Sequence, residues 1–253
     1  MIRLKSPREI DLMRRAGRIT AAARSLAGKM VAPGVTTLEI DRAVHDFIIS
    51  QGATPTFLGY GGYPASTCIS VNDTVIHGIP DKGIVIKEGD IVSIDVGATK
   101  DGFVGDCAAT FIAGEASEEA KKLVAVTRQS FFEGMKVARP GYRVHDIGAA
   151  IQRYVEENGF SVVRDFVGHG VGAVMHEEPE VPNYCAPGMG HGARLMRGMT
   201  LAVEPMVNAG DWPVRVLRDG WTVKTRDGSL SAHYENSILI TDGEPEILTG
   251  PEA

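Results

Sequence analysis

Hydrophobic residues recur at helical spacing in four segments of the chain, and most of these segments begin with a capping signal. The first carries a capping box at residues 6–9, with proline at the first helical position. A second box begins at Thr36, and Ser117 is a suitable cap for the third segment. We predict helices over about 6–30, 36–50, 117–137 and 144–158.

Apolar and β-branched runs between these segments predict strands. The runs contain no linker or low-complexity stretch that would divide the chain. Helices mixed with strands in this way indicate one α/β (α+β) domain over residues 1–253. The predicted strands lie at about 68–76, 90–98, 103–112, 161–167, 199–207, 214–217 and 233–241.

A faint internal repeat indicates that the domain has two similar halves. Residues 30–52 and 137–159 both place a Pro-Gly turn before a helical pattern that ends in glycine. Because Pro-Gly turns and glycine helix ends are common, coincidence is the alternative explanation.

A second pair of segments aligns at nearly the same offset, which favours a true repeat. Residues 87–97 align with residues 196–206, and Asp95 then corresponds to Glu204. We therefore expect charged residues from both halves to meet at the centre of the domain. The predicted half-repeats span about 30–112 and 137–241.

Composition and charge argue against several classes of function. Of the 253 residues, 43% are hydrophobic and 23% charged, which is an ordinary globular profile. A net charge of −6, without a Lys/Arg-rich run, argues against a nucleic-acid-binding face. No apolar run approaches the roughly 18 residues of a membrane span. Three widely separated cysteines and an N-terminus without an apolar stretch predict a cytoplasmic protein.

Five ionisable residues lie in short apolar or glycine-flanked segments, where a charged side chain is costly unless it is paired or binds a metal. They are Asp95, Asp106, His169, Glu204 and Glu235. Four carboxylates and one imidazole suit two divalent cations, and Co, Mn, Fe(II) and Zn all fit this ligand set. Water between two such ions loses a proton near neutral pH and becomes a nucleophile. The pattern therefore predicts a metal-dependent hydrolase.

The two aspartates flank a hairpin signal at residues 101–102, Asp-Gly. If these residues form the loop, Asp95 faces Ala108 and Asp106 faces Gly97. Both carboxylates then lie on one face of the hairpin as diagonal neighbours, roughly 7–8 Å apart. The alternative is a surface hairpin with two exposed aspartates, which the apolar run IVSIDV disfavours.

Two other motifs do not fit the sequence around these histidines. The segment GHGVG around His169 lacks the Lys-Ser/Thr pair of a phosphate-binding loop, and residue 180 is Glu, so His176 does not begin a zinc HExxH motif. Taken alone, His169 equally fits a hydrogen-bonded core histidine.

These residues stand in motifs that resemble those of type I methionine aminopeptidases, over nearly the whole chain from about Leu4 to Leu248. The motifs are GYPAS, HGIP, SIDVG with DGFVGD, GHGVG with MHEEP, VEPMVN, DGWTVKT and SLSAHYEN. The resemblance implies a pita-bread fold with two pseudo-twofold-related halves, a central antiparallel sheet and helices on the outer face. It also implies removal of the initiator methionine from nascent proteins with a small second residue, by attack of a metal-bridging hydroxide on the first peptide bond.

The resemblance further implies a role for each candidate residue. His77 and His176 would contact the substrate and stabilise the transition state, and Glu204 would relay a proton to the leaving amine. For the metals it implies one ion on Asp95, the other on His169 and Glu204, and both on the bridging Asp106 and Glu235.

The implied pocket for the methionine side chain comprises Tyr60, Tyr63, Cys68, Trp221 and the residues beside His176. Met175 stands where an aromatic is frequent in the family, and Phe57 where a smaller side chain is often found. The resemblance therefore does not determine the shape of the pocket. Core packing is the alternative role for Tyr63 and Trp221. Asn72 and Ser231 would support a monovalent cation.

The same resemblance leaves two alternatives of the same fold. Prolidase and aminopeptidase P act on bonds before proline and usually carry a large N-terminal domain, whereas a non-catalytic peptide-binding protein would have lost its ligands. A type II enzyme would carry a long insertion between His176 and Glu204. The implied partner is the N-terminus of a peptide or nascent chain, with a position near the ribosome, no nucleic acid and no membrane. The family is usually monomeric.

Overall fold

This computed structural model describes residues 1–250 of the chain, which contain four α-helices and fifteen strands. The helices are α1 (Pro7–Met30), α2 (Thr37–Ser50), α3 (Glu118–Met135) and α4 (Val144–Glu157). The strands are β1 (Thr54–Pro55), β2 (Thr67–Val71), β3 (Thr74–Ile76), β4 (Ile91–Lys100), β5 (Phe103–Ile112), β6 (Ser161–Val162), β7 (Gly168–Gly170), β8 (Glu177–Val181), β9 (Thr200–Val203), β10 (Met206–Asn208), β11 (Val214–Val216), β12 (Val223–Thr225), β13 (Ser231–His233), β14 (Asn236–Leu239) and β15 (Glu246–Ile247).

The predicted helix starts are confirmed, because the capping residues make the expected hydrogen bonds. At α1, Ser6 N donates to Glu9 Oε2 at 2.8 Å, and Glu9 N donates to Ser6 Oγ at 3.4 Å. The same reciprocal box begins α2, and Ser117 Oγ accepts from the first turn of α3. Each box satisfies two backbone N–H groups that the helix itself leaves unpaired.

The strands pair antiparallel in four sheets among the described residues, which confirms the mixed α/β class. One sheet has the order β1-β4-β2, with β5 also paired to β4, and the largest has the order β15-β14-β9-β7-β8. Smaller sheets are β13-β10-β6 and β11-β12-β3. The β4–β5 sheet and the β14 sheet meet where Ala108 and Glu235 exchange backbone hydrogen bonds of 2.9 and 3.2 Å.

Some predicted strands are shorter or divided. The run 68–76 is divided by a turn at Asn72, whose φ is 54°. The run 161–167 is a strand only at Ser161–Val162, and β7, β8 and β12 lie outside every predicted run. Their glycine- and charge-rich sequences lack the alternation that marks a strand.

Two further breaks fall at predicted metal ligands. The run 199–207 is divided at Glu204, because the following Pro205 has no N–H to donate to a ladder. The run 233–241 is divided at Glu235, whose N–H bonds to Ala108 of the other sheet. The expectation that Glu235 lies within a strand is therefore wrong, and both glutamates lie at strand ends.

The glycines of the predicted repeat share one backbone conformation. Each has a left-handed φ that side-chain-bearing residues adopt at a cost, so glycine is required at the turns themselves. This agreement supports two structurally related halves, while the boundaries 30–112 and 137–241 remain a prediction. The pairs are Gly34 (93°) with Gly141 (99°), Gly52 (62°) with Gly159 (86°), and Gly89 (85°) with Gly198 (89°).

Each half packs its helices over its own core. In the first half, buried residues of α1 and α2 pack on β4, with Ile40, Val44 and Ile94 fully buried. In the second half, α3 packs on β10 and β13 and α4 packs on β6 and β8, and Phe131 and Ile151 lie in the shared core. None of the helices within residues 1–250 combines the length and apolar character that a membrane span requires.

Candidate metal centre and active site

The β4–β5 hairpin brings Asp95 and Asp106 together in the predicted register. Asp95 pairs with Ala108, and Asp106 pairs with Gly97. The turn at residues 101–102 has φ values of 51° and 80°, as the Asp-Gly sequence predicts. Both aspartates line one cavity of about 170 Å³, and Asp106 is only 2% exposed. The alternative of a surface hairpin is therefore wrong.

Glu204 and Glu235 enter the same cavity from the ends of β9 and β14. Asn183 Nδ2 donates to the Glu204 backbone oxygen at 3.0 Å, and Ala108 holds both backbone groups of Glu235. The main chain of each glutamate is thus fixed by hydrogen bonds, and the carboxylates are left to face the cavity.

His169 completes the cluster and is oriented by its own strand. Its Nδ1 donates to the Gly170 backbone oxygen at 2.8 Å, since a carbonyl oxygen only accepts, and this leaves the Nε2 lone pair free. Nε2 lies 3.7 Å from Asp106 Oδ2 and 3.5 Å from Glu204 Oε1. Its interpretation as a hydrogen-bonded core histidine does not account for these carboxylate neighbours.

The glycines beside His169 are required by close approach of neighbouring strands. A Cβ on Gly168 would lie 2.3 Å from the Ala202 oxygen, and one on Gly170 would lie 2.3 Å from the Glu178 oxygen. The strand that carries His169 is therefore held between β8 and β9 with no room for flanking side chains.

The donor set fits divalent cations. Asp95 Oδ1, Asp106 Oδ1 and Glu235 Oε1 are buried and have no hydrogen-bond partner within residues 1–250. Unpaired buried carboxylates are costly, and a cation supplies the missing interaction. One ligand atom each from Asp106, His169 and Glu235 lies within 4.8 Å of the others, which is compatible with ligands of one ion.

Electrostatics within the cluster lead to the same conclusion. Burial, followed by repulsion from neighbouring carboxylates, raises the pKa values of Asp95, Glu204 and Glu235 well above their usual range. Burial also raises the pKa of Asp106 to about 7. Four acids that resist ionisation together need added positive charge to be ionised at neutral pH.

His77 and His176 also line the cavity. His176 Nδ1 is 2.6 Å from Tyr60 Oη, and the His176 ring centroid is 4.3 Å from that of His169. His77 has a left-handed φ of 57° and packs edge-on against Trp221, with ring centroids 6.2 Å apart. Burial lowers the pKa of both imidazoles, that of His77 to about 4, so both are neutral at neutral pH.

The loop that carries His176 is held by a buried ion pair. Lys5 Nζ lies 2.6 Å from Glu177 Oε2, and the two side chains are 4% and 8% exposed. The other oxygen of Glu177 accepts from Ala173 N at 3.0 Å. The segment before α1 is thereby attached directly to the active-site loop.

All four predicted pocket residues line the cavity, together with Phe57 and Met175. Tyr63 and Trp221 pack edge to face, with centroids 5.1 Å apart. Burial, together with the nearby Asp95, raises the pKa of the Cys68 thiol well above its usual range, so the sulfur stays protonated. The walls therefore combine aromatic rings and sulfur atoms, which suit an apolar, polarisable side chain.

Two further predicted residues and one unpredicted residue complete the description. Asn72 and Ser231 are adjacent, since Ser231 N donates to the Asn72 backbone oxygen at 2.9 Å. The unpredicted residue is His233, whose Nε2 lies 3.9 Å from Glu235 Oε2. The only signal for it in the sequence is its position two residues before the candidate ligand Glu235.

Comparison with known proteins identifies the family. The family model described as metallopeptidase family M24 matches residues 11–242, and the chain belongs to this family. A curated relative, methionine aminopeptidase from Clostridium perfringens, is 56% identical over 249 residues, which are 98% of this chain and 99% of that protein. The crystal structure of methionine aminopeptidase from Thermotoga maritima is 49% identical with a TM-score of 0.96, and the match covers 99% of this chain and 100% of that one. Within family M24, the chain therefore belongs with the methionine aminopeptidases.

More distant structures share the fold alone. Prolidase from Pyrococcus furiosus has a TM-score of 0.77 at 21% identity, over 99% of this chain and 66% of that one. The pita-bread fold and the assignment to metal-dependent peptidases are confirmed, and the full-length relatives favour the methionine aminopeptidase prediction over the proline-directed and non-catalytic alternatives.

Proposed function

We propose that this protein is a type I methionine aminopeptidase that removes the initiator methionine from peptides and nascent chains with a small second residue. The observation that supports this most is that all five candidate ligands line one cavity, together with aromatic rings and sulfur-containing side chains. Residues 177–203 contain no long insertion of the type II kind.

The ligand arrangement supports two divalent ions. Asp95 would hold one, and His169 and Glu204 the other, with Asp106 and Glu235 shared. Such ions polarise the scissile carbonyl and lower the pKa of water. Co, Mn, Fe(II) and Zn all suit one imidazole and four carboxylates. The adjacent Asn72 and Ser231 would in addition support a monovalent cation.

Side chains of the protein then transfer the protons and bind the substrate. Glu204 accepts the proton of the attacking water and passes it to the leaving amine. His176, oriented by Tyr60, donates a hydrogen bond to the oxyanion of the tetrahedral intermediate. His77 contacts the scissile amide nitrogen. Burial lowers the pKa values of both imidazoles, and a neutral imidazole keeps one N–H donor for these contacts.

Specificity follows from the cavity walls. A methionine side chain would lie among Tyr63, Cys68 and Trp221, with Met175 and Phe57 completing the enclosure. This aromatic and sulfur-lined enclosure favours one apolar, polarisable side chain. We further propose that the substrate is met in the cytoplasm as a nascent N-terminus near the ribosome, and that the enzyme acts as a monomer.

Peptide cleavage tests the assignment. With Mn or Co added, we expect release of methionine from a Met-Ala peptide and no cleavage of an Ala-Pro peptide. Cleavage of the second peptide only would instead identify a proline-directed enzyme, and cleavage of neither would support a non-catalytic protein. E204Q that keeps both metals should lose most of its turnover, and a near wild-type rate in this variant would refute the proton-relay role.

A further inference from the structure

His233 is a buried imidazole with no assigned function, and it lies beside the metal-ligand cluster. It is 2% exposed, and its Nε2 has no hydrogen-bond partner within residues 1–250. The nearest carboxylate contact is Glu235 Oε2 at 3.9 Å, and Glu235 Oε1 is likewise without a partner. An unpaired buried nitrogen beside an unpaired buried carboxylate needs an explanation.

The geometry around His233 fits a cation. Glu204, His233 and Glu235 each offer one ligand atom, and these atoms lie within 4.8 Å of one another. Two ligands of one ion, each about 2.1 Å from it, lie roughly 3–4.2 Å apart depending on coordination geometry. A small side-chain adjustment therefore brings the three atoms within bonding range of one ion. This set contains Glu204 and His233 in place of Asp106 and His169, and the two sets share only Glu235.

We propose that Glu204, His233 and Glu235 form a third divalent-cation position beside the dinuclear centre. Two carboxylate oxygens and one imidazole nitrogen suit Zn, Co or Mn. The four carboxylates already balance two divalent ions, so a third ion adds uncompensated positive charge and binds more weakly. The proposal rests on the proposed function only in that Glu204 and Glu235 serve both positions.

Occupation of this position has a consequence for the reaction. A carboxylate that binds an ion through its second oxygen is a poorer base, so Glu204 loses its capacity to take up the water proton. The third ion is therefore inhibitory, and activity should decline at metal concentrations that fill it.

Metal binding without peptide tests the site. Stripped protein is titrated with Co(II), and binding is followed by calorimetry and by visible absorption of the bound ion, in wild type, H233Q and H191Q. Gln keeps an N–H donor but is a poor ligand for Co(II), and His191 is an exposed histidine outside the cavity. We expect a weaker third equivalent in wild type and H191Q, weakened by about 10- to 100-fold or lost in H233Q, with the first two equivalents retained.

Diffraction on wild-type crystals soaked in Co(II) gives an independent result. An anomalous peak bonded to His233 Nε2 supports the proposal. A third equivalent that survives in H233Q, a third ion bound elsewhere, or only two ions in wild type at millimolar Co(II) would overturn it. Loss of the first two equivalents in H233Q would also overturn it, because His233 would then support the dinuclear centre itself. Met-Ala cleavage by the wild-type protein at low metal concentration does not depend on the third ion, so the two proposals fail separately.

Discussion

Glu235 and Ala108 exchange both of their backbone hydrogen bonds, at 2.9 and 3.2 Å, and so join the two halves of the molecule at a candidate metal ligand. Ala108 is also the cross-strand partner of Asp95. One short row of backbone thus connects ligand candidates from both halves. Arg24 of α1 closes this junction, because its Nη1 donates to the Ala108 oxygen at 3.3 Å and to the Glu235 oxygen at 3.1 Å.

Replacing Arg24 should therefore weaken both the fold and metal binding. R24M removes four buried hydrogen bonds, to the backbone oxygens of Ala108, Glu235 and Thr249 and to Asn236 Oδ1, which costs about 2–4 kcal/mol of unfolding free energy. Glu235 would lose part of its backbone support, so divalent-metal affinity should fall as well. Urea unfolding and metal titration measure the two effects, with R18M as a control at an exposed position of α1. Equal stability and affinity in R24M and R18M would show that the junction does not depend on Arg24.

The metal-free protein should show a specific pH dependence at Asp106. Its folded pKa of about 7 is above the unfolded value of about 4, so its contribution to stability is present below pH 4 and is lost as the pH rises towards 7. In D106N, residue 106 cannot ionise, so this loss of stability with rising pH does not occur. In EDTA, the stability of D106N relative to wild type should increase with pH across this window, by at most about 1.4 kcal/mol per pH unit for one proton.

The stability of D106N must be compared with that of wild type at each pH, because the buried histidines change stability with pH in the opposite direction. Burial lowers the pKa values of His169 and His233 to about 4 and about 3, so their contribution to stability is present above pH 6.5 and is lost as the pH falls. These effects are largely common to wild type and D106N. With metal added at pH 7.5 the order should reverse, since only wild type keeps all its ligands. A pH-independent difference in EDTA would contradict the assigned shift.

The Lys5–Glu177 ion pair should control the loop that carries His176. K5M leaves Glu177 buried and unpaired, which costs about 3–5 kcal/mol, and the loop loses the contact that orders it. We expect a lower kcat with a smaller change in KM, measured on a Met-Ala peptide.

Two controls make this prediction specific. K5M/E177L removes the unpaired charge and should recover much of the lost stability, as buried pairs replaced by apolar residues often do. R197M breaks the exposed Arg197–Asp242 pair, which should change stability by less than about 1 kcal/mol. An unchanged kcat in K5M would exclude a role for the ion pair in positioning His176.

The register of the β4–β5 hairpin can be predicted from the sequence. An Asp-Gly turn fixes the pairing of every residue on both strands, and this sets the positions of Asp95 and Asp106. The helix starts were equally predictable, since caps are local. These parts of the fold depend on interactions within a few residues, or across a tight turn, that the sequence displays directly.

The strand breaks and the position of His233 could not be predicted from the sequence. Glu235 leaves its strand because its N–H bonds to Ala108, more than a hundred residues away, and no local pattern encodes that contact. The sequence does not indicate His233, because its position matters only beside Glu204, which a different strand brings close. The sequence shows glycines on both sides of His169, but the neighbouring strand carbonyls that require them are visible only in the folded molecule.

Removal of the Tyr60 hydroxyl should slow catalysis without disturbing the pocket. Y60F keeps the aromatic ring at the cavity but deletes the 2.6 Å contact to His176 Nδ1, so the imidazole is no longer held in one orientation. A lost hydrogen bond of about 1–2 kcal/mol corresponds to a roughly 5- to 30-fold lower kcat. KM and thermal stability should change little, because the ring remains and the contact is exposed. Steady-state kinetics on a Met-Ala peptide, with Y142F as a tyrosine control outside the cavity, measure the effect. A raised KM with an unchanged kcat would instead assign Tyr60 to substrate binding alone.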